Sequence, residues 1–130
     1  MPLADHGLAP VVAIGGVGGS GTRLFAQVLD RLGWYLGGDV NESADNLWFS
    51  LLFKRADLFA RDARHPEFAL AARIFRAAMT SARPLDGAEE VWLRGLTAER
   101  PECASTWLQQ RVESIVHAAR TTGPRSGPWG

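Results

Sequence analysis

Residues 11–23, Val-Val-Ala-Ile-Gly-Gly-Val-Gly-Gly-Ser-Gly-Thr-Arg, set a short apolar run before a glycine-dense loop and the opening of a helix. Glycine admits positive φ and lets backbone N–H groups approach an anion, while a helix N-terminus adds partial positive charge. The chemistry this order suits is phosphate binding. Backbone amides and the hydroxyls of Ser20 and Thr22 would ring one phosphate group, with Arg23 beside it on the first helical turn. Gly16 to Gly21 matches the glycine spacing of a Walker A loop, but Thr22 and Arg23 stand where that motif continues with lysine and Ser/Thr. Without that lysine and the hydroxyl that holds magnesium, an ordinary ATPase or GTPase is disfavoured. A dinucleotide fingerprint fits no better, because the glycine spacing differs and no acidic residue ends a clear second strand. A glycine-rich turn with no ligand is the plain alternative.

A second group of chemical side chains follows the first helix. Asp39, Glu42 and Asp45 cluster in a polar loop that this architecture would place on the same rim as the glycine loop, where one could act as a general base on an acceptor hydroxyl. Loop solvation and helix capping, above all for Asp45, are the simpler explanation. Asn41 and Asn46 suit substrate orientation and turn chemistry equally. His6, His65 and His117 are scattered and read as surface or capping residues. Lys54-Arg55 interrupts an apolar helix and reads as a solvated stripe. Trp48, Trp92 and Trp107 fall at core-facing helix positions rather than as stacking platforms. Cys103 is the single cysteine, so no internal disulfide forms, and no metal site is supported.

These residues need elements to hold them. Val11 to Ile14 reads as a strand buried on both faces. Leu24, Phe25, Val28, Leu29 and Leu32 recur at helical spacing, with Gln27, Asp30 and Arg31 on the other side and Gly33 as a C-terminal stop. Trp34-Tyr35-Leu36 is a second short strand or an extended link, and residues 37–46 form a polar loop. Asp45 can cap a helix carrying Leu47, Trp48, Leu51, Leu52 and Phe59. Pro66 suits the first position of a helix with Phe68, Ala71, Ile74, Phe75 and Ala78 inside. Asp86 and Glu89 have capping-box spacing ahead of Val91, Trp92 and Leu93. After Pro101 a longer helix buries Leu108, Val112, Ile115, Val116 and Ala119. Residues 121–130 read as a loop. A strand buried on both faces needs parallel neighbours, so either the sheet is completed elsewhere or the chain pairs with something else.

Bulk properties bound the rest. A chain of 130 residues with 46% hydrophobic and 22% charged residues is that of one modest globular domain. Lys+Arg 14 and Asp+Glu 14 cancel, so neither nucleic acid nor an acidic membrane is an expected partner. Thirteen of the basic residues are arginine, Lys54 being the sole lysine, which suits bidentate oxyanion binding and follows as readily from base composition. Without a secretory signal or a bilayer-length apolar run, a cytoplasmic location is expected.

Gly18-Gly19-Ser20-Gly21-Thr22-Arg23, with Leu29, Gly33, Asp39-Val40-Asn41-Glu42 and Asp45-Asn46-Leu47-Trp48-Phe49, resembles the start of bacterial sulfotransferase-like proteins. The resemblance is most specific over the first third of the chain. It implies an α/β P-loop fold, one or two strands followed mostly by helices, with residues 1–130 the N-terminal part of one domain and its sheet incomplete. It further implies that Gly18, Gly19, Ser20, Gly21, Thr22 and Arg23 bind the phosphate of phosphoadenosine phosphosulfate (PAPS). Arg23 and Glu42 are the implied catalytic pair for in-line sulfuryl transfer, without a metal, to a hydroxyl or amine of a small-molecule or carbohydrate acceptor. Gly19 stands where many relatives carry a lysine or arginine, and the second phosphate site of the family falls beyond Trp129-Gly130, so an incomplete enzyme is expected. The alternatives are a non-catalytic nucleotide- or phosphate-binding module and a P-loop kinase-like protein.

Overall fold

A computed structural model of the chain describes residues 11–15, 21–62, 64–120 and 127–129. Its helices are α1 (Thr22–Arg31), α2 (Leu47–Phe53), α3 (Ala56–Phe59), α4 (Pro66–Thr80), α5 (Gly87–Gly95) and α6 (Ser105–Arg120), with a 3-10 turn over Leu96–Glu99 between the last two.

The centre is the packing of α4 on α6. Ala71, Ile74 and Ala78 recur at helical spacing on α4 and are fully buried, as are Leu108, Val112, Ile115, Val116 and Ala119 on α6. Alanine opposite branched side chains lets the two backbones approach closely while Ile74 and Ile115 fill the gaps. Against this pair lie Trp48, Leu51 and Leu52 of α2, Leu93 of α5 and Leu96 of the 3-10 turn.

The helix boundaries follow from side-chain caps. His65 Nδ1 accepts from the Glu67 N–H at 3.2 Å, with Pro66 at the first position of α4. Asp86 and Glu89 form the expected capping box at the start of α5. The α2 cap is Asn46, whose Oδ1 accepts from Phe49 N at 3.1 Å, rather than Asp45. The helix expected from 47 to 59 breaks at Lys54–Arg55, because Arg55 turns inward instead of joining a solvated stripe. It is 2% exposed, with Nη2 donating to Asp57 at 2.7 Å and Glu99 at 3.1 Å beneath the Trp92 ring.

No β-strand forms among the described residues, and the expected α/β P-loop fold gives way to an almost wholly helical one. Val11 and Tyr35 each make one isolated parallel bridge, both to Trp129. Both bridges meet the same residue and neither is continued by a second bridge along the described residues, so no ladder forms. The resemblance to sulfotransferase-like proteins rests on a P-loop sheet that the described residues do not form. With it fall PAPS as co-substrate, sulfuryl transfer, the sulfotransferase activity and its small-molecule or carbohydrate acceptor. The phosphate-module and kinase-like alternatives needed the same sheet. No helix among the described residues is long and apolar enough to cross a membrane.

A buried acid stitches α5 to the preceding turn. Glu89, 2% exposed, receives both Arg83 guanidinium nitrogens at 2.8 Å and the Asp86 N–H at 3.0 Å. The hydrogen bonds from Arg83 hold its carboxyl below the usual carboxylate range, against the opposing push of burial. A depressed folded-state pKa stabilises the fold above the unfolded-state value, near 4.3, and that contribution is lost as pH falls through the folded-state value. Glu89→Gln is expected to cost roughly 1–3 kcal/mol at neutral pH, the half-exposed Arg83 limiting the effect. Urea unfolding of wild type and variant at a series of pH values should show the gap closing below about pH 4.

Candidate functional site

Helix α1 is delimited by a left-handed glycine at each end and exposed along one side. Gly21, at φ +85°, precedes it, and its carbonyl accepts from Leu24 N at 3.0 Å and Phe25 N at 3.3 Å. At the other end Gly33, at φ +87°, donates to Asp30 O while Trp34 N donates to Leu29 O, both at 3.0 Å. This is the 5→2 and 6→1 pattern of a Schellman turn, for which a left-handed glycine is suited.

At 100° per residue the α1 side chains divide into three arcs. Thr22, Ala26 and Leu29 form the inner edge, with Ala26 buried. Arg23, Gln27 and Asp30 form a polar flank facing residues 34–44. Arg23 Nη2 donates to Ser43 Oγ at 2.8 Å, and Gln27 and Asp30 line a cleft with Trp34 and Tyr35. Turned the other way are Leu24, Phe25, Val28 and Leu32, which are 64%, 65%, 46% and 69% exposed, with the exposed Arg31 bordering them beside Leu24. The apolar stripe expected to bury α1 is therefore covered only along its Ala26–Leu29 edge.

Opposite the polar flank, residues 36–46 are held by short-range bonds. Asn41 Oδ1 accepts from Ser43 N and Asp45 N, each at 2.9 Å, and its amide donates to Asp45 Oδ2 at 3.1 Å. Asn46 Nδ2 donates to Leu36 O at 2.8 Å, which closes the outer side of the 34–36 segment. Gly37 sits at φ +112°, where an added Cβ would come within 2.5 Å of Asn46 Nδ2. Asp39 is drawn away from this rim to Arg111 of α6, Oδ2 to Nε 2.6 Å.

The candidate residues named from sequence end up as follows. Gly18, Gly19 and Ser20 lie outside the described residues. Gly21 and Thr22 open α1, Arg23 is tied to Ser43, and Glu42 is exposed beside it in the loop turn. The loop acids do not converge, since Asp39 pairs with Arg111 and Asp45 with Asn41. His65 caps α4 and Trp48 is core, its Nε1 donating to Ser114 at 2.9 Å. The cleft between α1 and residues 34–44 has a volume of about 280 Å³. That is at or below the range of roughly 300–1,000 Å³ typical of small-molecule pockets. No group of His, Cys, Asp and Glu among the described residues could hold a metal ion. The outward arc of α1 is the feature that sequence reasoning missed. No family model, curated protein or solved structure matches the chain.

Two substitutions test how the polar flank's platform is built. Gly37→Ala meets both a forbidden φ and Asn46, and is expected to cost about 1–3 kcal/mol. Ala44 occupies φ +63°, where a side chain is strained. Ala44→Gly is expected to raise stability by up to about 1 kcal/mol, less whatever glycine loses in unfolded-state entropy. Thermal unfolding of the two variants should shift the midpoint in opposite directions.

Proposed function

We propose that this chain is a protein-interaction module, in which the helical body holds α1 so that its apolar flank receives a partner chain. The observation that supports it is the continuity of Leu24, Phe25, Val28 and Leu32 along one side of a helix whose opposite flank is anchored. Single exposed apolar side chains are ordinary on soluble proteins, but a contiguous patch at helical spacing is characteristic of a docking face. In this reading Arg23 is a positioning residue. Its bond to Ser43 sets the rotation of α1 about its axis, and Glu42 lies on the rim outside the contact.

Placing a photo-crosslinking phenylalanine analogue at Phe25 of the full chain, in the cells that make it, tests the proposal. A discrete adduct is expected from position 25 and none from Val91, which is 74% exposed on α5 and serves as control. Val28→Glu, a surface change that buries no charge in the free protein, should reduce the adduct at least tenfold. Equal adducts from positions 25 and 91, or no adduct from position 25, would refute the proposal.

A further inference from the structure

We infer that the cleft between α1 and residues 34–44 binds an alkylated ammonium group, either a free small molecule or one carried on a side chain. The site lies on the polar flank of α1, apart from the docking face proposed above.

The charge in the cleft is of one sign. Asp30 is the one lining residue charged at neutral pH. It stands in the last turn of α1, at the negative end of the helix dipole, where an acid is disfavoured and a cation is favoured. Its carboxylate makes no hydrogen bond or ion pair with the described residues. Arg31 does not answer it, being rotated 100° further about the helix so that it borders Leu24 instead. Arg23, on Asp30's own flank, lies two turns back, roughly 10 Å along the axis. Its Nη2 is already engaged, donating to Ser43 Oγ at 2.8 Å. Across the cleft, Asn41 commits its amide to Asp45 Oδ2 at 3.1 Å, and Leu36 O accepts from Asn46. An anion entering here would meet a carboxylate and no cation, whereas a cation finds its counter-charge in place.

The remaining wall decides between kinds of cation. Trp34, Tyr35, Leu36 and Val40 line it, and Trp34 and Tyr35 are both half-buried. Aromatic rings attract ammonium groups electrostatically, and alkyl substituents on the nitrogen are favoured against apolar surface. A bare metal ion needs several converging ligands, and no group of His, Cys, Asp and Glu among the described residues supplies them. The volume of about 280 Å³ is small for a drug-sized molecule and suits a head group of a few carbons.

Nuclear magnetic resonance of the full chain, titrated with choline at constant ionic strength, tests this. Saturable shifts are expected at the Trp34 indole and the Tyr35 backbone, with a Kd on the order of 1–10 mM for one ammonium group in an open cleft. The neutral isostere of choline, with carbon in place of nitrogen, should bind at least about fivefold more weakly. Asp30→Asn alters an exposed side chain and should weaken choline binding by a similar factor with the far-ultraviolet circular dichroism unchanged. Glu42→Gln removes one negative charge outside the cleft and should change binding less than about twofold. A trimethyllysine peptide, titrated in a separate arm against its unmethylated form, distinguishes the sources. Tighter binding than choline assigns the site to an ammonium on a side chain, and weaker binding assigns it to a free cation. Absence of saturable shifts from both choline and the peptide overturns the inference. So does equal binding of the isostere, or an equal loss from Asp30→Asn and Glu42→Gln. None of these results bears on crosslinking from position 25, so the docking proposal stands or falls separately.

Discussion

The close contact of α4 with α6 is the constraint on which the other elements depend. Small residues at Ala71, Ala77 and Ala78 bring the helices near enough for Ile74, Ile115 and Val112 to interlock. Once that distance is set, the remaining helices have defined grooves. The C-terminal ends of α4 and α6 are locked by Ser81, whose hydroxyl donates to Ala118 O at 2.7 Å from a fully buried position. Alpha-helix α2 is then fixed across the pair, with Trp48 reaching Ser114 and with Arg100 Nη1 donating to the otherwise orphaned Leu51 carbonyl at 3.0 Å.

Polar groups at the border of this core do a different job from the apolar ones. Arg55 is almost wholly buried, with carboxylates of Asp57 and Glu99 on one nitrogen and Glu67 at 3.9 Å. Its Nε and Nη1 have no hydrogen-bond partner among the described residues. Burying a guanidinium on such terms costs free energy that the ion pairs only partly offset, so net stability is a poor account of it. Its geometry is a better one. The inward turn of Arg55 ends α2, redirects the chain into α3, and ties that corner to α4 through Glu67 and to the 3-10 turn through Glu99. Asp39 with Arg111 plays the corresponding part at the other end, fastening the 36–46 loop to α6.

How legible this was depended on whether a feature is local. The capping box of Asp86 and Glu89, Pro66 at a helix start, Gly33 at a helix end and the buried stripe of α6 are decided within a few residues, and each forms as its residues predict. Arg55 could not be placed from its neighbours, because besides the nearby Asp57 its surroundings include Glu99, 44 positions away, and the Trp92 ring. The strand at 11–14 failed for the same reason in reverse. Its composition is that of a buried strand, but strand formation needs a partner of matching length, and periodicity says nothing about whether one is present. The glycine loop then led the functional reading astray, since a phosphate loop is defined by the sheet in front of it as much as by its glycines.

The same non-local logic explains why α1 differs from its neighbours. A ten-residue helix has little intrinsic stability and ordinarily depends on burying its apolar arc. Here the helix is held by means that leave that arc free: a glycine before it, a Schellman turn after it, the Arg23–Ser43 bond on one flank and only Ala26 fully buried beneath. The glycines delimit α1 and the Arg23–Ser43 bond bears on its rotation, and none of these uses Phe25, Val28 or Leu32. Had the apolar arc been needed for folding, the body would be expected to cover it, as it covers the stripes of α4 and α6.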